Sequence, residues 1–357
     1  MADRIAELSG LFSLRVTTVM GRQLNSERQE CFQSGDLATF GIEGIAHIEA
    51  VVVTHDSEGH IAACLDSLLA EGALPVVVDN DSNDSTVRLI RERYPQVSVI
   101  SGGGNFGYGR SVNTGFRTTS GAFVLLSNSD VVYPRQSLRS LLAYLKSSGD
   151  VGLVGAQQIF PNGNWQRSYG DLPGLWSGFK AAFGITTLQR ASRAWLWPLK
   201  VDRKPKDVPY VDGAILLVRR EAFETIGGFD EGFFRYGDET DLCARMQKAG
   251  WRTVFYPGAQ IVHARGGDST RIVPLELLQN MVEAEMKVAR KHLSAREATV
   301  YFCLKQLEYQ RLSLTYKLLS VVAPSRMTLG LRSKSASTGD LAQVWRNKRR
   351  QFSGASA

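Results

Sequence analysis

The chain has 357 residues, 43% of them hydrophobic and 22% charged, with a net charge of +7. That apolar content supports a sizeable core and excludes global disorder. The basic excess suits a phosphate-rich partner: a nucleotide, a nucleic acid or an anionic membrane surface. The four cysteines, Cys31, Cys64, Cys243 and Cys303, form no CxxC pair. This argues against zinc and dithiol motifs and for free thiols in a reducing cytoplasm. The apolar stretch 11–20 is interrupted by Arg15 and lacks a cleavage site, so it does not read as a signal peptide. No apolar run reaches the roughly 18 residues of a spanning helix, and a soluble or peripheral protein is expected.

In chain order, residues 1–45 lack periodicity and read as an extension. Order begins at residues 48–54 (IEAVVVT), a short, apolar, β-branched run that predicts a buried strand. A helix is expected over 60–69 and a second strand over 75–78. A helix over 86–93 follows, capped by Ser82 or Asp84 and stopped by Pro95. Strands over 97–101 and 123–127 flank a helix over 112–118. This alternation predicts a mostly parallel sheet with helices on both faces, and ligands bind at the carboxyl ends of strands in such sheets. Strands are also expected over 151–156 and 214–219, separated by a basic, Trp-rich stretch (Trp165, Trp176, Trp195, Trp197) that reads as a mobile loop or an acceptor surface. A helix over 238–249 ends at Gly250, and a strand over 253–256 continues through 259–263. Beyond Pro274 the pattern turns to long basic helices and then a polar tail over 333–357. The implied division is an extension, 1–45; a catalytic domain, 46–272; a helical appendage, 273–330; and a basic polar tail, 331–357.

Six clusters could carry chemistry, most of them after strands, where a ligand would sit. Thr54-His55-Asp56-Ser57 and Asp79-Asn80-Asp81-Ser82 follow neighbouring strands. A carboxylate there can accept a base N–H, although Asp, Asn and Ser also serve ordinary turns. Gly102–Gly104, Asn105, Phe106 and Gly107 form a glycine-rich turn whose amides can face a phosphate or sugar. Its spacing fits neither GxGxxG nor a P-loop. Asn128-Ser129-Asp130 offers a carboxylate for Mg²⁺ or Mn²⁺. Asp238-Glu239-Thr240-Asp241 puts three acids in one helical turn. Such acids favour a helix start, and Asp241 pairs at i,i+4 with Arg245. Adjacent desolvated carboxylates also gain the basicity of a general base. His263, before Gly266-Gly267, could complete a metal shell.

Together these segments resemble glycosyltransferase family 2, of GT-A fold, over residues 50–268. VVVTHDSEGHIAACLDSLL looks like its opening strand and helix, and VVVDNDSNDST like its base-binding turn. NFGYGRSVNTGF is similar to the glycine-rich segment of its rhamnosyltransferase-like branch, and LLSNSDVV occupies the place of its DXD motif. The segment from VDGAILLVRREAF through GDETDLCARMQKAGW to QIVH resembles its acceptor and base region.

The resemblance implies a Rossmann-like, mostly parallel sheet flanked by helices, with a C-terminal helical appendage. It also implies roles. Thr54, Asp56 and Asp79 contact base and ribose, with Asn80, Asn105, Gly107 and Asn128 also on the nucleotide. Asp130 and His263 hold a divalent metal, Mg²⁺ or Mn²⁺. Asp212, Gly213, Arg167 and Asp241 serve the substrates, with Gln166 and Arg167 where that branch contacts donor phosphate or acceptor. Glu239 is the catalytic base, with Asp238 the competing candidate. Two departures stand out. The first acid of DXD is Asn128, and the base is Glu where many relatives have Asp.

The implied function is inverting transfer of a sugar, L-rhamnose from dTDP-L-rhamnose by branch resemblance. The implied acceptor is a bacterial surface polysaccharide or lipid-linked glycan, on the cytoplasmic side. The basic helices beyond Pro274 read as a peripheral membrane contact, a solvated appendage or an oligomer contact. The alternative from another class is a non-catalytic nucleotide-sugar or carbohydrate-binding protein on the same fold. Nucleic acid is not expected as a partner, because the tail WRNKRR belongs to no recognisable module.

Overall fold

The computed structural model describes residues 48–196, 202, 204–264, 275–322 and 325–354. The expected extension, together with Trp197, Gly266 and Gly267, lies outside the described residues.

A nine-stranded sheet forms the centre. Strands β1 (Glu49–Thr54), β2 (Leu74–Asp79), β3 (Ser98–Ser101) and β4 (Phe123–Asn128) are mutually parallel in the order β3-β2-β1-β4. The sheet continues from β4 through β10 (Ile215–Arg219), β6 (Val151–Ile159) and β11 (Arg252–His263) to the two-residue β5 (Val131–Val132). β10 is antiparallel to both neighbours, whereas β6 and β11 are parallel. The two-residue β8 (Lys206–Asp207) also pairs with β11. β7 (Tyr169–Gly170) and β9 (Tyr210–Val211) form a separate ribbon.

Continuous apolar strands reflect burial on both faces. Along β1, Ala50 and Val52 enter one core with α1 (Ile61–Ala70) and α4 (Ser137–Ser147). Val51 and Val53 enter the other, with α3 (Tyr108–Phe116), α7 (Arg220–Thr225) and α8 (Asp238–Lys248). Packing on that side is tight, since a Cβ on Gly115 would stand 2.5 Å from Val51 Cγ1. At the start of α2 (Thr86–Arg93) the N-cap residue is Ser85, without a side-chain capping bond, rather than the expected Ser82 or Asp84; Asp84, one residue earlier, accepts from Thr86 N at 2.9 Å.

Two regions differ from the sequence reading. The Trp-rich stretch contains helices α5 (Leu175–Ala182) and α6 (Ile185–Leu196). The residues read as a polar tail form the helix α11 (Ser325–Gly354), which packs with α9 (Leu275–His292) and α10 (Ala295–Val322). Their shared core seats fully buried Trp345 against Phe302, with ring centroids 5.8 Å apart. One buried indole is worth several kcal/mol of apolar burial, enough to recruit an otherwise polar segment.

Candidate active site

Parallel register places the first cluster. Thr54 on β1 lies opposite Asp79 on β2, and Asp79 opposite Ser101 on β3. Three loops therefore leave the sheet side by side. Thr54 Oγ1 and Asp79 Oδ1 are buried with no hydrogen-bond partner in the protein, which marks adjacent strand ends as able to receive a polar ligand. Asp79 Oδ2 accepts from Ser82 N at 3.2 Å. Asp56 adopts φ +46° and links two loops: its carboxylate accepts from Asn83 N at 2.7 Å, and its own N donates to Ser82 Oγ at 3.0 Å. Asn80 donates to Asn105 Oδ1 at 2.8 Å and accepts from Phe106 N at 3.0 Å. Gly107 has φ +88°, and a Cβ there would fall 2.2 Å from the Phe234 carbonyl oxygen. Only glycine permits that approach. The glycine-rich turn is thereby pressed against the segment that leads into α8.

The next group forms where the chain leaves β4 and pairs, through β5, with the end of β11. Asn128 N donates to Ala214 O at 3.0 Å, and Ser129 Oγ meets Ser57 Oγ at 2.8 Å. A bulge between Tyr256 and Gln260 redirects β11 so that its last residue, His263, pairs with Val131. His263 Nε2 stands 3.3 Å from Asp130 Oδ1, and His263 is 4% exposed. Its other nitrogen, Nδ1, lies 3.0 Å from Gln158 Oε1, while Gln158 Nε2 donates to Asp212 O at 3.4 Å. Gln158 Oε1 thus faces one imidazole nitrogen and Asp130 the other, and which nitrogen donates follows the tautomer. Burial raises the Asp130 carboxyl, but the His263 hydrogen bond and charge outweigh it and hold the group below the usual range. An oxygen and an imidazole nitrogen so placed fit a hard divalent ion that takes its remaining ligands from substrate oxygens and water. Among the described residues there is no cluster of three or more metal-binding side chains.

The acid cluster begins α8. Gly237, at φ +77°, turns the chain into the helix. Asp238 is buried, whereas Glu239 lines a cavity of about 310 Å³ with Arg167, Tyr210 and Tyr236. Glu239 packs over Gly213, whose missing side chain leaves room: a Cβ there would lie 3.2 Å from Glu239 Cβ. Tyr108 Oη donates to Gly213 O at 3.3 Å. Burial, then the adjacent Asp238 charge and hydrogen bond, hold Glu239 well above the ordinary carboxyl range. Asp238 is also raised, chiefly by burial. The two carboxyls titrate as one unit. Arg167 Nη2 stands 3.8 Å from Asp212 Oδ2. Glu239 and Arg167 line the cavity, Gly213 packs against Glu239, and Asp212 stands beside Arg167.

Asp241 faces elsewhere. It is 0% exposed, and its carboxylate contacts Arg245 at 2.7 Å, Lys291 at 2.8 Å and His292 at 2.7 Å. Burial disfavours its charge, but these hydrogen bonds prevail and depress its pKa far below normal. The residue assigned to the substrates instead ties α8 to α9.

Gln166, expected with Arg167 at donor phosphate or acceptor, is buried with both side-chain amide atoms unpartnered. Sequence reasoning missed two contributors. Gln158 carried no signal, because its partner His263 is 105 residues away. The appendage supplies a cavity wall: Lys305 Nζ contacts Glu308 at 2.6 Å and Glu285 at 3.3 Å, with Tyr301 and Tyr309 alongside.

An α/β fold with polar loops at strand ends thus carries a carboxylate–imidazole pair and a carboxyl of raised pKa on a helix start. The family description "Glycosyltransferase like family 2" matches residues 46–281, and the chain belongs to that family. An N-acetylglucosaminyl-diphospho-decaprenol L-rhamnosyltransferase of Mycobacterium tuberculosis is 31% identical over 246 residues, 63% of this chain and 78% of that protein. Rhamnosyltransferase WbbL of Escherichia coli is 23% identical over 255 residues, 68% of this chain and 93% of that protein. Among solved structures, mannosyltransferase PcManGT from Pyrobaculum calidifontis, in complex with GDP-Man and Mn²⁺, superposes with a TM-score of 0.55 at 18% identity, over 95% of this chain and 97% of that one. GalNAc-T7 with UDP, GalNAc and Mn²⁺ gives a TM-score of 0.51 at 14% identity, covering 82% of this chain and 55% of that one. The fold is that of GT-A glycosyltransferases, and the chain is a glycosyltransferase with rhamnosyltransferase relatives.

Proposed function

We propose that the protein transfers L-rhamnose from dTDP-L-rhamnose, with inversion, to a lipid-linked glycan of bacterial surface polysaccharide synthesis. The observation that carries the reading is Glu239: a carboxyl of raised pKa on a helix start, over Gly213, in a cavity beside Arg167. Glu239 accepts the proton of the acceptor hydroxyl as that oxygen attacks the anomeric carbon from the face opposite the departing nucleotide. Asp238, buried behind it, keeps Glu239 basic. Thr54 and Asp79 receive the base and ribose, and the turn from Asn105 to Gly107 shapes the donor pocket. Asp130 and His263 would hold Mg²⁺ or Mn²⁺, which when bound supplies positive charge against the leaving diphosphate. Arg167, oriented by Asp212, binds the acceptor or the donor phosphate. The identity of the donor rests on the rhamnosyltransferase names of the two relatives, and that of the acceptor on the mycobacterial one.

Glu239→Gln tests the reading. Turnover of dTDP-L-rhamnose with an N-acetylglucosaminyl-diphospho-lipid should fall by about 10²–10⁴, with dTDP affinity kept. Unchanged turnover would remove Glu239 from the chemistry.

A further inference from the structure

Two segments far apart in sequence share an unusual composition. Residues 172–201 contain no Asp or Glu but include Lys180, Arg190, Arg193 and Lys200. Residues 309–339 likewise contain no acid but include Arg311, Lys317, Arg326, Arg332 and Lys334. The fold brings the two together where α5 packs on α10. Arg311 Nε donates to Ala182 O at 2.9 Å, and its guanidinium also reaches Thr187 Oγ1 at 3.3 Å.

Around this junction large apolar side chains face outward. Trp176 is 66% exposed, Phe183 60% and Leu188 72%; on α10, Leu314 is 58% and Leu318 60% exposed. Trp176, Phe179 and Phe183 form a row, with ring centroids 5.6 and 4.5 Å apart. Exposed Arg190 stands on α6 and exposed Lys317 on α10. No described helix is long and apolar enough to cross a membrane. Apolar and aromatic side chains flanked by cations, with acids excluded, suit the plane of an anionic bilayer surface, where rings sit at headgroup depth and cations meet lipid phosphates. Position adds to the argument. Ser177, Thr186 and Arg190 on α5 and α6, and Tyr309 on α10, line the cavity that also holds Glu239.

We propose that the face built from α5, α6 and the second half of α10 docks on an anionic lipid bilayer, setting the Glu239 cavity at the membrane surface. Charge selects the occupant: a second copy of this chain would bring the same cations, whereas an anionic bilayer complements them.

Vesicle flotation of the full chain tests this without donor or acceptor, so its outcome is separate from that of the sugar-transfer reading. The probes are phosphatidylcholine vesicles with and without phosphatidylglycerol. Binding should require phosphatidylglycerol and weaken with salt. The triple variant Trp176→Ser/Phe183→Ser/Leu188→Ser should lower affinity by about tenfold or more, and Lys317→Glu should lower it less. Because these side chains are exposed, the variants should melt like the parent, which separates lost docking from lost folding. Absence of parent binding to phosphatidylglycerol vesicles, or equal binding by the triple variant, would overturn the proposal. So would light scattering that shows a parent dimer converted to monomer by the triple variant, because the face would then join two copies.

Discussion

Asp241→Asn removes one negative charge from a site where the cations Arg245 and Lys291 and the imidazole of His292 converge. Breaking a buried ion pair by deleting one partner costs about 3–5 kcal/mol, because the remaining charge is stranded. Here the loss is cushioned. Lys291 keeps Asp230 at 2.6 Å, and Arg245 keeps the carbonyls of Ile226 and Gly228 at 2.8 and 2.6 Å. The lower end, about 3 kcal/mol, therefore applies, or a fall in Tm of about 6 °C at roughly 2 °C per kcal/mol for a large chain. The pH dependence has a definite sign. The folded Asp241 pKa is depressed, so its contribution is fully present above the unfolded value of about 3.9 and is lost only as pH falls through the folded one. Calorimetry of parent and variant should give a Tm gap at pH 5 no smaller than at pH 7.5. A gap below about 2 °C, or one that closes by pH 5, would refute the assignment of the anchoring charge to Asp241.

The raised Glu239 pKa predicts that kcat/KM climbs with pH through an inflection above the ordinary glutamate value of about 4.3, and an inflection at or below it would contradict the burial argument. The same elevation means that folding binds a proton between the unfolded and folded pKa values, so stability falls as pH rises through that window; Glu239→Gln should therefore melt higher than the parent at pH 8. Gln158→Leu removes the hydrogen-bond partner of His263 Nδ1 and should weaken Mn²⁺ binding by about 10–100-fold in titrations with dTDP present; affinity within about twofold of the parent would show that His263 needs no such support. Gly107→Ala combines φ +88° with a contact of 2.2 Å to the Phe234 carbonyl, and chemical denaturation should register a loss of about 1–3 kcal/mol together with weaker dTDP binding.

The first four strands were legible because Ala50–Val53 and Val124–Leu126 alternate between two buried faces, leaving no polar position to blur the run. The strand-end clusters were legible for the complementary reason: Asp79, Asn80 and Asp130 are polar where an apolar run stops. The insertion of β10 between β4 and β6 was not, since Leu216–Leu126 and Leu217–Val154 pairings join residues more than 60 positions apart. The helix over Ser325–Gly354 hid behind its serines and lysines. Its anchors Leu341, Val344 and Trp345 have helical spacing but occupy only one stretch. At the site, the i,i+4 pair of Asp241 with Arg245 could be read from spacing, whereas Lys291 and His292 arrive from a different helix. That distant neutralisation separates Asp241 from Glu239 in role, although the two sit in one turn.

The same tie moves the boundary of the module. The family segment ends at 281, but the side chains that close the Asp241 site from outside α8 are Lys291 and His292. A protein cut after 281 would retain Asp130, His263 and Glu239 and still leave the fully buried Asp241 carboxylate without two of its partners. A transplantable unit of this enzyme therefore has to run at least past His292, and on through α10 to keep the cavity wall of Tyr301, Lys305 and Tyr309.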